Sequence, residues 1–287
     1  MTSAKNLFRF LTDELSQAYD RAETQAIVYR LLEDVLHVSR TDVLLDKSLP
    51  LVQPDWRALL NRLKRHEPIQ YVLGETGFYG RTFHVTPATL IPRPETEELV
   101  RLVIQEIQYS PLSILNSPLS ILDIGTGSGC IAITLALGLP QAQVWAWDVS
   151  LEALEVARQN AQRLGATVHF EEVDVLKPTS ETGDSPYTVL VSNPPYVTHA
   201  EATGMHSNVL DYEPHLALFV PDADPLLFYR AIAALGNRCL VPGGAVFVEI
   251  NRALGNETAS VFLERGYSSV AVVNDLSGNP RFVRALR

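Results

Sequence analysis

The tetrapeptide Asn193-Pro194-Pro195-Tyr196 sets two hydrogen-bond acceptors in a stiff backbone. One is the Asn193 side-chain oxygen. The other is the Pro194 carbonyl, held by the fixed dihedrals of a Pro-Pro pair. Such a pair suits the two N–H bonds of a planar amide or an aromatic amine. The lone pair of that nitrogen is delocalised, so it is a weak nucleophile. Two aimed acceptors would orient it and stabilise the positive charge that grows as it attacks. Tyr196 can supply a face for the planar group to pack on. No strong base is needed, because the cation formed is acidic and sheds its proton readily. Alignment does much of the work. Asn-Pro and Pro-Pro are also ordinary turn material. What favours chemistry is the setting: the tetrapeptide follows the apolar run Thr188–Ser192 and lies 64 residues beyond a glycine loop.

That loop is Asp123-Ile124-Gly125-Thr126-Gly127-Ser128-Gly129. It follows an apolar strand and opens a helix, where glycines permit sharp turns and close approach to a ligand. Asp148 stands 19 residues past Gly129, at the end of the next apolar run. A carboxylate there can accept hydrogen bonds from both hydroxyls of a ribose. The combination points to a nucleoside-containing cofactor. Dinucleotide sites show G-x-G-x-x-G, with a pyrophosphate at the helix N-terminus. The spacing here is G-x-G-x-G after an aspartate, which favours S-adenosylmethionine. That molecule has no phosphate and carries an ammonium group that Asp123 would suit, directly or through water. Glycines serving only strand-to-helix packing are the bland alternative. Asp174 and Val175 follow the third strand, where an adenine would lie. They either meet its edge and face or form a solvated loop. The cofactor set is therefore Gly125, Thr126, Gly127, Ser128, Gly129, Asp148, Asp174, Val175 and Asn193. The substrate set is Asn193, Pro194, Pro195 and Tyr196.

The elements that must position these residues alternate from residue 119 onward. Strands are expected at Ser120–Ile124, Val144–Trp147, Val168–Glu171, Thr188–Ser192, Gly244–Ile250, Ser268–Val273 and Pro280–Leu286. Helices are expected near 95–109, 129–137, 151–164, 225–236 and 255–265. Alternation of this kind predicts a doubly wound α/β sheet. The closely spaced last runs predict an antiparallel strand, since a short connection cannot make a parallel crossover. Residues 1–70 read as a small helical bundle. Leu7, Phe8, Leu11 and Leu15 recur at helical steps, and Ala26, Ile27, Arg30, Leu31, Asp34 and Val35 suggest a second helix. A short helix is expected from Thr41 and another from Pro54-Asp55, ended by Pro68, with Lys64-Arg65-His66 as a solvated helix end. Residues 71–92, with Tyr71-Val72, Phe78-Tyr79 and Phe83 among three glycines, predict a β-hairpin linker before a domain over 93–287. Ser110–Leu115 recurs as Ser117–Leu122. The second copy is expected to be the buried strand and the first a surface loop.

The net charge of −10 argues against a phosphate-neutralising surface, so a nucleic-acid substrate is disfavoured. No apolar run approaches the ~18 residues of a membrane span, and Met1–Asn6 has no secretory pattern. A cytoplasmic monomer is the expectation. Cys130 and Cys239 form no disulfide framework, and Cys130 reads as a small buried residue. The seven histidines are irregularly spaced, so no metal is expected.

Asn193-Pro194-Pro195-Tyr196 together with Asp123–Gly129 resembles the amino-methyltransferases that act on planar nitrogens, including adenine and cytosine enzymes. The run Phe83-x-Val85-x-Pro87-x-Thr89-Leu90-Ile91-Pro92-Arg93-Pro94-Glu95-Thr96-Glu97 narrows this. With Tyr212-Glu213-Pro214-x-x-Ala217-Leu218 and Gly243-Gly244 to Glu249, it is similar to the peptide-chain release factor glutamine methyltransferases over nearly the whole chain. The resemblance implies a class I methyltransferase fold and S-adenosylmethionine as cofactor. It implies bacterial class 1 release factors as partners, methylated at N(5) of the glutamine in their Gly-Gly-Gln motif. It also implies an N-terminal domain that docks the release factor, and Arg93, Pro94 and Glu95 lining the site. Val175 departs from the usual aromatic residue, and Asn251 stands where glycine is usual. A nucleic-acid adenine amino-methyltransferase is the alternative reading.

Overall fold

A computed structural model describes residues 3–49, 54–109, 119–177 and 186–287. The chain divides into two compact units, Met1–Glu75 with His206–Tyr212, and Thr76–Met205 with Glu213–Arg287.

The first unit holds α1 (Ala4–Leu15), α2 (Arg21–Leu36), α3 (Arg40–Leu44), α4 (Trp56–Leu63) and α5 (Ile69–Leu73). Each of the first four helices opens on a side chain that accepts from its orphan amides: Ser3, Asp20, Ser39 and Asp55. The core is aliphatic, with Leu7, Leu11, Leu15, Leu31, Leu32 and Leu63 all fully buried. Two expectations need correction. The buried stripe of α2 is Thr24, Ile27, Val28, Leu31 and Leu32, so Ala26, Arg30 and Asp34 lie off it. Tyr71-Val72 belong to α5 and not to the hairpin. Pro68 starts this turn rather than only ending α4: its carbonyl accepts from the amides of both residues, and Val72 packs into the helical core. Lys64 at the end of α4 pairs with Glu14 at 2.5 Å. The segment His206–Tyr212 joins this unit, with the Tyr212 hydroxyl donating to the Arg65 carbonyl at 2.8 Å.

The second unit begins with the hairpin β1 (Glu75–Phe78) and β2 (Arg81–His84) and the helix α6 (Pro94–Tyr109). Its centre is a seven-stranded sheet. In chain order the strands are β3 (Ser120–Ile124), β4 (Gln143–Asp148), β5 (His169–Glu172) and β6 (Tyr187–Ser192). After a short parallel pair, β7 (Val197–Thr198) and β8 (Phe219–Val220), come β9 (Leu240–Glu249), β10 (Ser268–Asn274) and β11 (Pro280–Leu286). The order across the sheet is β10-β11-β9-β6-β3-β4-β5. Strands β9, β6, β3, β4 and β5 run parallel, and β11 is antiparallel to both its neighbours. Every residue of β3 and β6 is buried, as expected of parallel strands covered on both faces. The covering helices are α7 (Cys130–Gly138), α8 (Leu151–Leu164), α10 (Leu227–Cys239) and α11 (Gly255–Glu264), with α9 (Ser207–Tyr212) belonging to the first unit.

The strand expected from the second copy of the duplication is β3, at the centre of the sheet. The first copy, Ser110–Leu115, lies outside the described residues. Chain order reverses at β3: it leads to β4 on one side, while β6 returns on the other. The crevice beyond the carboxyl ends of β3 and β6 is therefore the place for a ligand.

Candidate active site

The sheet register brings the two sequence motifs together. Ile124 pairs with Ser192 and with Trp147. Gly125 and Asn193 are the first residues beyond β3 and β6, and Asp148, the last residue of β4, stands at the same level. The Ser192 hydroxyl donates to the Ile124 carbonyl at 2.6 Å and pins the two strand ends.

A cavity of about 330 Å³ opens there, a size typical of small-molecule sites. Its walls include Gly125, Thr126, Gly127 and Ser128, then Asp148, then Asp174 and Val175, and finally Asn193, Pro194 and Pro195. Gly125 and Gly127 have φ of +73° and +55°, and a Cβ on either would project into open space. Gly129 differs. It does not line the cavity, and a Cβ there would stand 2.8 Å from Ile133 Cδ1 and 3.1 Å from the Ala157 Cβ. Its role is packing between α7 and α8. Tyr196 is not among the lining residues either, and Pro94 and Glu95 also stay off the wall, while Arg93 and Thr96 are on it.

Two carboxylates hold the loop. Asp148 Oδ2 accepts from the Gly127 amide at 2.8 Å, and Oδ1 accepts from the Ser150 amide at 3.0 Å. Each oxygen keeps a second lone pair, which is what two ribose hydroxyls require. Burial raises the Asp148 carboxyl above its ordinary value, against the pull of those amides. Asp123 lies beneath the loop, fully buried. Its Oδ2 accepts from the Thr126 hydroxyl at 2.7 Å and from the Ala132 amide at 3.2 Å. Oδ1 has no hydrogen-bond partner among the described residues. Burial pushes this carboxyl up to about 7. Asp174 Oδ1 accepts from the Leu176 amide at 2.9 Å, a turn that caps the loop after β5.

On the opposite wall, Asn193 Nδ2 donates to Thr96 Oγ1 at 3.0 Å. Thr96 donates to Glu249 Oε2 at 2.8 Å, and the Tyr196 hydroxyl donates to Glu249 Oε1 at 3.1 Å. Glu249 ends β9 and is buried, which raises its carboxyl to about 7. The hydroxyl of Tyr196 is raised by the same burial and by the Glu249 charge. The segment before α6 is anchored separately. Arg93 reaches Glu213 Oε1 at 2.6 Å, and the Ile91 amide donates to Glu213 Oε2 at 3.2 Å. Asn251 ties down the stretch after the tetrapeptide, donating to both oxygens of Glu201 at 3.0 and 3.2 Å.

Residues 6–74 match the model of the PrmC N-terminal domain, and residues 110–211 match that of the methyltransferase small domain. A release factor glutamine methyltransferase of Bacteroides thetaiotaomicron is 45% identical, covering 97% of this chain and 98% of the relative. One of Flavobacterium psychrophilum is 43% identical, covering 98% of each. The chain belongs to the release factor glutamine methyltransferase family. A methyltransferase crystal structure from Pyrococcus furiosus has the same fold, with a TM-score of 0.50 at 19% identity over 80% of this chain and 98% of that one.

Within this family member, the sequence motifs find the cavity's glycine wall, Asp148 and the Asn193 end. They miss the supporting carboxylates. Glu249 and Glu213 carried one signal: each is a lone acid in an apolar or proline-bounded setting, in Val246-Phe247-Val248-Glu249-Ile250 and Tyr212-Glu213-Pro214. Among the described residues no group of three or more His, Cys, Asp or Glu is placed to hold a metal ion, and no helix is long and apolar enough to cross a membrane.

Proposed function

We propose that this enzyme methylates the side-chain amide nitrogen of the glutamine in the Gly-Gly-Gln motif of class 1 release factors, using S-adenosylmethionine. The observation that supports the reading is the Ile124–Ser192 register, which brings Asn193 and Pro194 to the wall of a glycine-walled cavity. The residues fit the cofactor. Asp148 has lone pairs to spare for a ribose, Val175 offers an apolar cover for an adenine, and the glycines leave room where side chains would intrude. Asp123 supports the loop from beneath, through the Thr126 hydroxyl and the Ala132 amide, and is not on the cavity wall.

When bound, the cofactor supplies an electrophilic methyl group. The protein's part is orientation. Asn193 Oδ1 and the Pro194 carbonyl each accept one N–H of the amide, so the nitrogen lone pair faces the cavity. Their partial negative charges stabilise the cation as it forms. Tyr196 acts from behind: its hydroxyl is on Glu249 and its ring packs against the hydrophobic core, which leaves the wall to Asn193 and the prolines. The helical unit, domain 1–70 in sequence terms, docks the release factor, and domain 93–287 carries out the transfer. An enzyme with this substrate works in the cytoplasm, here as a monomer.

The test is transfer of labelled methyl groups from S-adenosylmethionine to purified release factor, with ribosomal RNA and DNA as parallel acceptors. Label on the release factor alone is the expected result. Label on either nucleic acid and none on the protein would replace this reading with the nucleobase one.

A further inference from the structure

The polarity of the Asn193 carboxamide is decided inside the protein. Thr96 is 2% exposed and Glu249 is 1% exposed, so their polar groups are satisfied chiefly by one another and by Asn193 and Tyr196. Thr96 Oγ1 lies between Glu249 Oε2 at 2.8 Å and Asn193 Nδ2 at 3.0 Å. A hydroxyl carries one proton, and an ionised carboxylate can only accept. While Glu249 is ionised, the Thr96 proton is therefore committed to it, and only lone pairs face Asn193. The NH2 end of Asn193 satisfies them. A carboxamide turned by half a revolution would set oxygen against oxygen. The Tyr196 hydroxyl occupies the other carboxylate oxygen and fixes its plane.

We propose that Thr96 and Glu249 are positioning residues that lock Asn193 with its oxygen toward the cavity, and so select a nitrogen bearing two protons over a hydrogen-bond acceptor. This rests on the amide-methylation reading above. Glu249 does not line the cavity and acts through Thr96. A glutamine at 249 can donate to Thr96, which then donates to Asn193 and inverts the carboxamide. A valine at 96 keeps the shape and removes the relay.

The experiment compares Thr96→Val, Glu249→Gln and Thr96→Ser in the full chain. In Thr96→Val and Glu249→Gln, kcat for release factor should fall about 10- to 100-fold, the usual cost of losing a supporting hydrogen bond behind a functional group. The cofactor Kd should stay near wild type. Thr96→Ser, which keeps the hydroxyl, should recover kcat to within about threefold, and the Glu249→Gln/Thr96→Val double variant should be no more than about threefold below Thr96→Val, as residues acting in series require. Retention of wild-type kcat in Thr96→Val and Glu249→Gln would overturn the proposal, as would a Thr96→Ser variant as impaired as Thr96→Val. A second measurement needs no substrate: solvent exchange of the Asn193 side-chain NH2 protons by NMR, slow in wild type and fast in Thr96→Val. Equal exchange overturns the proposal. A wild-type enzyme that leaves release factor unmethylated but shows the exchange difference contradicts only the function on which it rests.

Discussion

At the scale of single residues, Asn193 is where chemistry and structure meet. It contacts the amide in the proposed complex, while Asp148 and the glycines hold the cofactor. Asn193→Ala should lower turnover by roughly 100-fold or more, in line with the loss of an oriented transition-state contact, and change cofactor affinity, measured by calorimetric titration, much less. Unchanged turnover would remove Asn193 from the mechanism. Glu249 adds a pH dependence. Its carboxyl is raised to about 7, and only the ionised form commits the Thr96 proton. The groups facing it are Thr96, Tyr196, Arg281 and Glu95. Turnover in wild type should climb as pH rises through about 7, and that limb should vanish in Glu249→Gln. Stability runs the other way. A carboxyl with a raised folded-state value gives its contribution below the unfolded value, and loses it as pH rises through the folded one. Glu249 and Asp123, both about 7, should together lower the urea midpoint between ~pH 5 and ~pH 8, where the unfolded carboxyls are already ionised. Glu249→Gln should flatten part of that slope.

At the scale of elements, what positions the site is the register between β3 and β6 and the turn from β3 into α7. The strands were legible in the sequence because a parallel strand buried on both faces reads as a mainly apolar run, as Ser120–Ile124 does apart from Ser120 and Asp123 and Tyr187–Ser192 does apart from Thr188 and Ser192. The glycine loop was legible because its three glycines all sit at positive φ. Their separate duties were not. Gly125 and Gly127 face open space, whereas Gly129 is pressed between Ile133 and Ala157. Gly129→Ala should therefore destabilise the fold by about 2–4 kcal/mol, the sum of left-handed strain and overpacking. Urea unfolding measures this, and a loss below about 1 kcal/mol would show that the α7–α8 contact gives way cheaply. The α5 turn escaped the sequence reading because Tyr71-Val72 look like strand residues. The two Pro68 carbonyl hydrogen bonds and the pull of the helical core outweigh that local preference.

At the scale of the molecule, family and fold were readable together. The glycine loop and the tetrapeptide give the methyltransferase sheet, while the Phe83–Glu97 run and the helical N-terminal residues give the family. What remained hidden was long-range pairing: Thr96 with Glu249, Ile91 and Arg93 with Glu213. Contacts across more than 100 residues leave no periodic trace in one sequence. The negative charge of the chain also belongs to this scale. A protein substrate does not require a phosphate-neutralising surface, so methyl transfer should depend weakly on salt. A steep fall between 50 and 200 mM salt, on the order of 10³-fold or more, is what nucleic-acid binding through many phosphate contacts would give.

In the proposed reaction the methyl group goes to one side-chain amide nitrogen. Mass spectrometry of a release factor treated with this enzyme and S-adenosylmethionine tests it most directly. The expected result is one added methyl group, located on the glutamine of the Gly-Gly-Gln motif and lost when that glutamine is replaced by alanine. A methyl group at another residue, or one that persists in the alanine variant, would contradict the account.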